Sequence, residues 1–142
     1  MKAHPIFAAG FPRKTSLGML LLLVALFFSN HAVALEPAPP KITGLFSDMT
    51  FHSDTGDVLG MEVFLVYSNR GYIAIYQSSE GEPSVPIVLP AKVNGNAVSF
   101  QIPPEVDGRG SFVGTVSNNE LVGSFSGNGQ RVHLKRKPSY WQ

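Results

Sequence analysis

Few side chains in this 142-residue sequence are placed to do bond-making chemistry. Two histidines, His52 and His133, and Glu62, a carboxylate inside the apolar stretch "VLGMEVFLVYS", are the candidates for acid, base or ligand. The histidines lack metal-ligand spacing such as H-x-x-x-H, and the phosphate-loop and dinucleotide glycine patterns are missing, so no metal and no other cofactor is expected. Serine is plentiful, yet none stands in G-x-S-x-G, and cysteine is absent. Three tyrosines, Tyr67, Tyr72 and Tyr76, gather around "NRG" with Arg70 and Gln77 beside them. Aromatic bodies with polar tips suit contact surfaces rather than bond cleavage. The expectation is a non-enzymatic binding protein whose contact residues are Glu62, Tyr67, Arg70, Tyr72, Tyr76 and Gln77.

Compartment follows from the first 34 residues. Lys2, Arg13 and Lys14 precede an apolar run over 17–28, and Ala32-Val33-Ala34 supplies small residues for cleavage. This is the pattern of a secretory leader. The 12 apolar residues fall short of the roughly 20 that span a bilayer, so cleavage near Ala34 and export are expected. Without cysteine, neither a lipid anchor nor a disulfide can follow export. All ten acidic residues lie beyond the leader, with eight basic ones, so the exported chain carries a formal charge of −2. Such a balance argues against nucleic acid as a partner. Residues 35–43 form a proline-rich arm, and 44–142 are expected to form one domain with an aromatic tail.

The strands must position whatever these residues do. From Gly44 onward, short aromatic and β-branched runs alternate with turn residues, and no 3.6-residue apolar stripe persists. Eight strands are predicted, over 44–53, 58–68, 72–79, 84–93, 96–102, 111–117, 120–126 and 130–136. Asn94-Gly95 is a strong two-residue hairpin signal. Pro86 and Pro90 mark an edge or a bend, because proline cannot donate to a ladder. The expected fold is all-β, an eight-stranded antiparallel up-and-down meander closed into a small barrel, with a two-sheet sandwich as the alternative. Strands after the second are mostly of about seven residues, too short for a membrane barrel, whose strands need about 9–11.

With its short glycine-plus-aromatic hairpin "GSFVGTVSNNELVGSF", the region 44–136 resembles the calycin-type barrels, the lipocalin-like and avidin-like folds. The likeness is architectural. The lipocalin G-x-W signature is absent, so no ligand residue is carried over.

Period-two alternation puts Leu59, Met61, Val63, Leu65 and Tyr67 on the inner face, with Glu62, Phe64 and Val66 outside. An outward Glu62 keeps the strand soluble; with the faces reversed it would be buried and need a partner. Gly114 and Gly123 are expected where the barrel coils its strands or lets backbones approach. Pro138 should end the last strand, with "SYW" folding back over the seam or an open end and Trp141 substantially buried. The expected partner is a protein or a small apolar ligand, with a weak homodimer as a possible state. Alternatives are a protease inhibitor acting through the proline-rich arm and a carrier with an interior cavity.

Overall fold

Aspartate, asparagine and glycine turns divide the chain into β-strands that each reverse onto the one before. The computed structural model describes residues 38–142; the expected leader and the first residues of the arm lie outside the described residues. The strands are β1 (Gly44–Ser47), β2 (Thr50–His52), β3 (Asp57–Ser68), β4 (Gly71–Gly81), β5 (Ile87–Asn94), β6 (Ala97–Gln101), β7 (Ser111–Val116), β8 (Glu120–Phe125) and β9 (Arg131–Arg136). From β3 to β9 each pairs antiparallel with its successor. β1 closes the circle, pairing with β9 at Phe46↔Arg136 and with β3 from Gly44↔Leu65 to Ser47↔Glu62. The result is a closed eight-stranded barrel with one extra strand, as the spacing of turns and apolar runs predicts.

The extra strand arises because the expected strand 44–53 breaks at Asp48. Its N–H donates to Met61 O at 3.2 Å, and its Oδ1 accepts the Met61 N–H at 2.7 Å. Gly60 makes room for this: its φ is +114°, and a Cβ there would lie 2.7 Å from Asp48 Oδ1. The kink lets β1 turn toward β9 while β2 stays on β3. Closure removes the sheet edge that a straight first strand would expose.

Inside, Tyr76, Phe100, Phe112 and Phe125 form one aromatic cluster. Phe100 and Phe112 stack at 4.8 Å, and Phe125 lies 5.3 Å from Phe112 and 6.2 Å from Tyr76. Gly114 and Gly123 face each other across β7 and β8, where a Cβ on either would sit 2.5 Å from Phe112 Cζ. The paired glycines therefore make the space this ring fills, in keeping with the close backbone approach expected of them.

Two expected inward residues of β3 lie outside the core. Met61, Val63 and Leu65 are buried, but Leu59 is exposed and Tyr67 is 65% exposed. β1 reaches only to Leu65 along β3, so Tyr67 stands above the closed wall with Tyr72 of β4 as its cross-strand partner.

Pro90 sits where β5 forms a local sheet edge, one of the two places expected of it. β5 pairs with β4 over Ile87–Ala91, but its ladder with β6 starts only at Ala91↔Phe100. Residues 87–90 thus have a partner strand on one side alone, which accommodates a proline that has no N–H to donate.

Candidate functional site

The six candidate contact residues do not form one site. Tyr67 and Tyr72 pair edge-to-face at 4.9 Å at the rim that carries the Asn69-Arg70 turn. Arg70 is exposed there and has no acidic partner within 4 Å among the described residues. Tyr76 points into the core and carries its hydroxyl to the opposite rim. Glu62 and Gln77 are Cα partners across β3 and β4 on the outer wall. Sequence proximity around one turn had suggested a single tyrosine cluster; strand alternation and length separate its members.

At the rim below Tyr76, the loop 102–110 supplies a group that local sequence does not advertise. Arg109 donates through Nη1 to Asp107 and, at 3.3 Å, to Tyr76 Oη; through Nη2 to Glu80; and through Nε to Gln130 Oε1 at 2.9 Å. The Tyr76 hydroxyl in turn donates to Asp107 Oδ2 at 3.3 Å. Burial pushes the Tyr76 phenol above its ordinary value. Burial opposes the charge on Arg109, but Tyr76, Asp107 and Glu80 together hold its pKa above the ordinary value. A polar depression of about 310 Å³ opens beside this group, lined in part by Glu80, Glu82, Asp107 and Arg109. Every one of the guanidinium's nitrogens has a partner, so the group ties the loop 102–110 to β4 and to Gln130.

The other rim is closed by a second arginine with a different partner set. Arg136 donates to the carbonyls of Lys41, Thr43, Ser117 and Asn118, the Thr43 and Asn118 bonds being 2.7 Å. Its guanidinium carbon lies 4.4 Å from the centroid of the Phe46 ring. Burial without a carboxylate partner lowers its pKa. This clamp ties the end of the proline-rich arm to the β7–β8 turn.

Beyond β9 the chain crosses the outer wall. Lys137 is anchored by its N–H to Leu45 O at 3.3 Å and by Nζ to Met49 O at 3.2 Å. Ser139 Oγ then donates to Glu62 Oε2 at 2.9 Å, and the Tyr140 N–H to Glu62 Oε1 at 2.6 Å. The Trp141 indole N–H donates to Gln77 Oε1 at 2.9 Å. Glu62 is therefore outward-facing and still only 6% exposed, because this segment lies over it. The expected fold-back occurs, but Trp141 is not substantially buried: it is 47% exposed. Its ring lies along the wall with its N–H satisfied by a side chain, which leaves much of the ring facing water.

The histidines stay apart in the strand order. His52 lies on β2, which pairs with β3, whereas His133 on β9 meets Glu120 of β8. No group of three or more His, Cys, Asp or Glu side chains gathers as a metal site among the described residues.

A further concave surface lies beside Pro90. Where β5 parts from β6, a cleft of about 400 Å³ lies along the wall, with Pro90, Lys92, Ser99, Gln101, Ser111 and Val113 in its lining. Val88 and Val113 stand on the outer face at 66% and 62% exposure. Pro90 was the sequence signal for this feature; that the parting strands would form a cleft depends on register. Comparison of the chain with protein-family models, with curated proteins and with solved structures returns no match.

Proposed function

We propose that this chain is an exported, non-enzymatic β-barrel that binds a protein partner, and that the partner adds an extended segment at the parting of β5 and β6. The observation that carries this reading is the one-sided pairing of residues 87–90 in an otherwise closed barrel. Unpaired backbone on a strand edge is a template for an incoming strand, with side pockets supplying selectivity. The cleft and the exposed Val88 and Val113 lie beside that edge and supply apolar contact. Export is supported by the leader pattern in residues 1–34.

A closed antiparallel barrel is also the architecture of calycin-type carriers. A lipocalin-like or avidin-like role would use the interior, where this barrel holds Tyr76, Phe100, Phe112 and Phe125 against one another. A filled interior favours contact at the wall over carriage within it. The exposed Tyr67, paired with the half-buried Tyr72 beside Arg70, supports a second contact surface at the rim, since Tyr and Arg dominate binding hot spots.

The test compares the immobilised exported chain with V88K/V113E and Y67S/Y72S variants against the host's exported proteins. A partner retained by the parent chain and by the rim variant but lost from V88K/V113E supports strand addition at the cleft. Loss only from Y67S/Y72S moves the contact to the rim, and identical capture by all three chains overturns both.

A further inference from the structure

The segment Pro138–Gln142 does more than cover the wall. We infer that Glu62 and Gln77 form a peptide-binding site on the outer wall, which this segment fills in cis, and that a partner's Ser-x-Trp turn competes for it. The inference does not rest on the β5–β6 cleft.

The site is preorganised in the wall. Glu62 and Gln77 face each other across β3 and β4, held by continuous ladder pairing on either side. Gln77 Nε2 donates to Ser84 O at 2.7 Å, which fixes the amide and aims Oε1 outward as an acceptor. Glu62 offers both carboxylate oxygens as acceptors and has no cation within 4 Å among the described residues. The wall thus presents three acceptors and selects a ligand rich in donors.

The cis segment meets all three with consecutive residues. Ser139 brings a hydroxyl, Tyr140 a main-chain N–H and Trp141 an indole N–H. A local turn sets their spacing: the Trp141 N–H donates to Ser139 Oγ at 3.2 Å, and the Gln142 N–H to Ser139 O at 3.3 Å. Tyr140 and Trp141 pack edge-to-face at 4.7 Å. One of the three donors belongs to the main chain, so recognition depends on the turn and on Ser and Trp, and any residue except proline, which has no N–H to donate, fits between them.

Two features make the occupancy exchangeable. The root of the segment is held independently, by Lys137 on Leu45 O and Met49 O, so the last five residues can lift without unpairing β9. Lifting also returns the Glu62 carboxylate to water, which replaces its lost hydrogen bonds. A competing peptide has to outdo a tethered one, whose effective concentration is set by the short link to Lys137.

The experiment uses the full chain carrying W141F, which removes its single tryptophan, and a capped Lys-Pro-Ser-Tyr-Trp-Gln peptide whose indole reports binding by fluorescence anisotropy. Adding S139A weakens the cis segment, and peptide affinity is expected to rise by about tenfold, the worth of one hydrogen bond to a charged group. E62L or Q77L in that background is expected to abolish binding, with circular dichroism confirming the fold. Equal affinity with and without S139A, or binding that survives both wall substitutions, overturns the inference. So does absence of binding to the S139A/W141F chain. If that chain instead dimerises with rising concentration and the peptide does not dissociate it, the occupant is a second copy and the partner-peptide assignment is overturned. Capture at Val88 and Val113 can fail with this result intact, and the reverse also holds.

Discussion

Tyr76 and Arg109, 33 residues apart in the chain, meet at 3.3 Å where the core reaches one rim of the barrel. The contact joins a phenol rooted in the aromatic cluster to a loop that has no regular strand. R109L would leave the half-buried Asp107 carboxylate and the Tyr76 hydroxyl short of a partner, and a loss of about 2–4 kcal/mol is expected in urea unfolding. E80Q is expected to cost under about 1 kcal/mol, because Glu80 is 79% exposed and its ion pair is screened by water.

Alkali should act through the same contact. Burial raises the Tyr76 pKa in the folded chain, so the folded state holds this proton more tightly than the unfolded state does. The stabilisation is complete below the unfolded phenol value of about 10 and is lost as pH rises through the folded value. Unfolding midpoints measured from pH 8 upward should fall above about pH 10, and Y76F should flatten that fall. An identical alkaline profile for Y76F would exclude Tyr76 as the cause.

Gly114 and Gly123 should tolerate no side chain. A methyl on Gly114 would meet Val122 O at 2.4 Å as well as Phe112 Cζ at 2.5 Å. G114A and G123A are each expected to destabilise by about 2–3 kcal/mol or more through overpacking. Shrinking the ring with F112L in the G114A background should recover only part of this, because the carbonyl contact remains. Full recovery would show that the ring alone forbids the methyl.

Trp141 gives the cleanest optical check on the strap. As the chain's only tryptophan, and 47% exposed, it should be quenched by acrylamide to an extent between that of free indole and a buried ring. Q77L removes the acceptor of its N–H and should move quenching toward the free value. Unchanged quenching would mean that the indole is held by something other than Gln77.

Arg136 tests the anchoring of the arm. R136K keeps the charge but replaces a planar fork bonded to four carbonyls with a single ammonium. Amide exchange at residues 41–44 is expected to speed up, with a stability loss of about 1–3 kcal/mol. Protection equal to the parent's would show that the arm is held without the clamp.

Much of this fold was legible because its signals are local. Asn94-Gly95 marks the hairpin to within one residue, since Asn94 stays in β5 opposite Ala97 and the turn is Gly95-Asn96 with Gly95 at positive φ, and the alternation of Met61, Val63 and Leu65 declares a buried face without reference to a neighbour. Eight such runs with short turns leave few ways to protect the sheet edges other than closure. The break at Asp48 was not legible, since it depends on Gly60 standing opposite in the folded register.

The candidate sites divide in the same way. Composition and the missing motifs determined what chemistry the chain does not advertise, and Pro90 marked where a ladder must fail. Which residues meet was decided only by tertiary structure, because contact depends on strand order and register, properties of pairs that lie far apart in sequence. Tyr67 and Tyr76, nine positions apart, end at opposite rims because β3 and β4 run the length of the barrel. Glu62 and Tyr140, 78 positions apart, share a hydrogen bond because closing the barrel brings the end of β9 to the wall of β3.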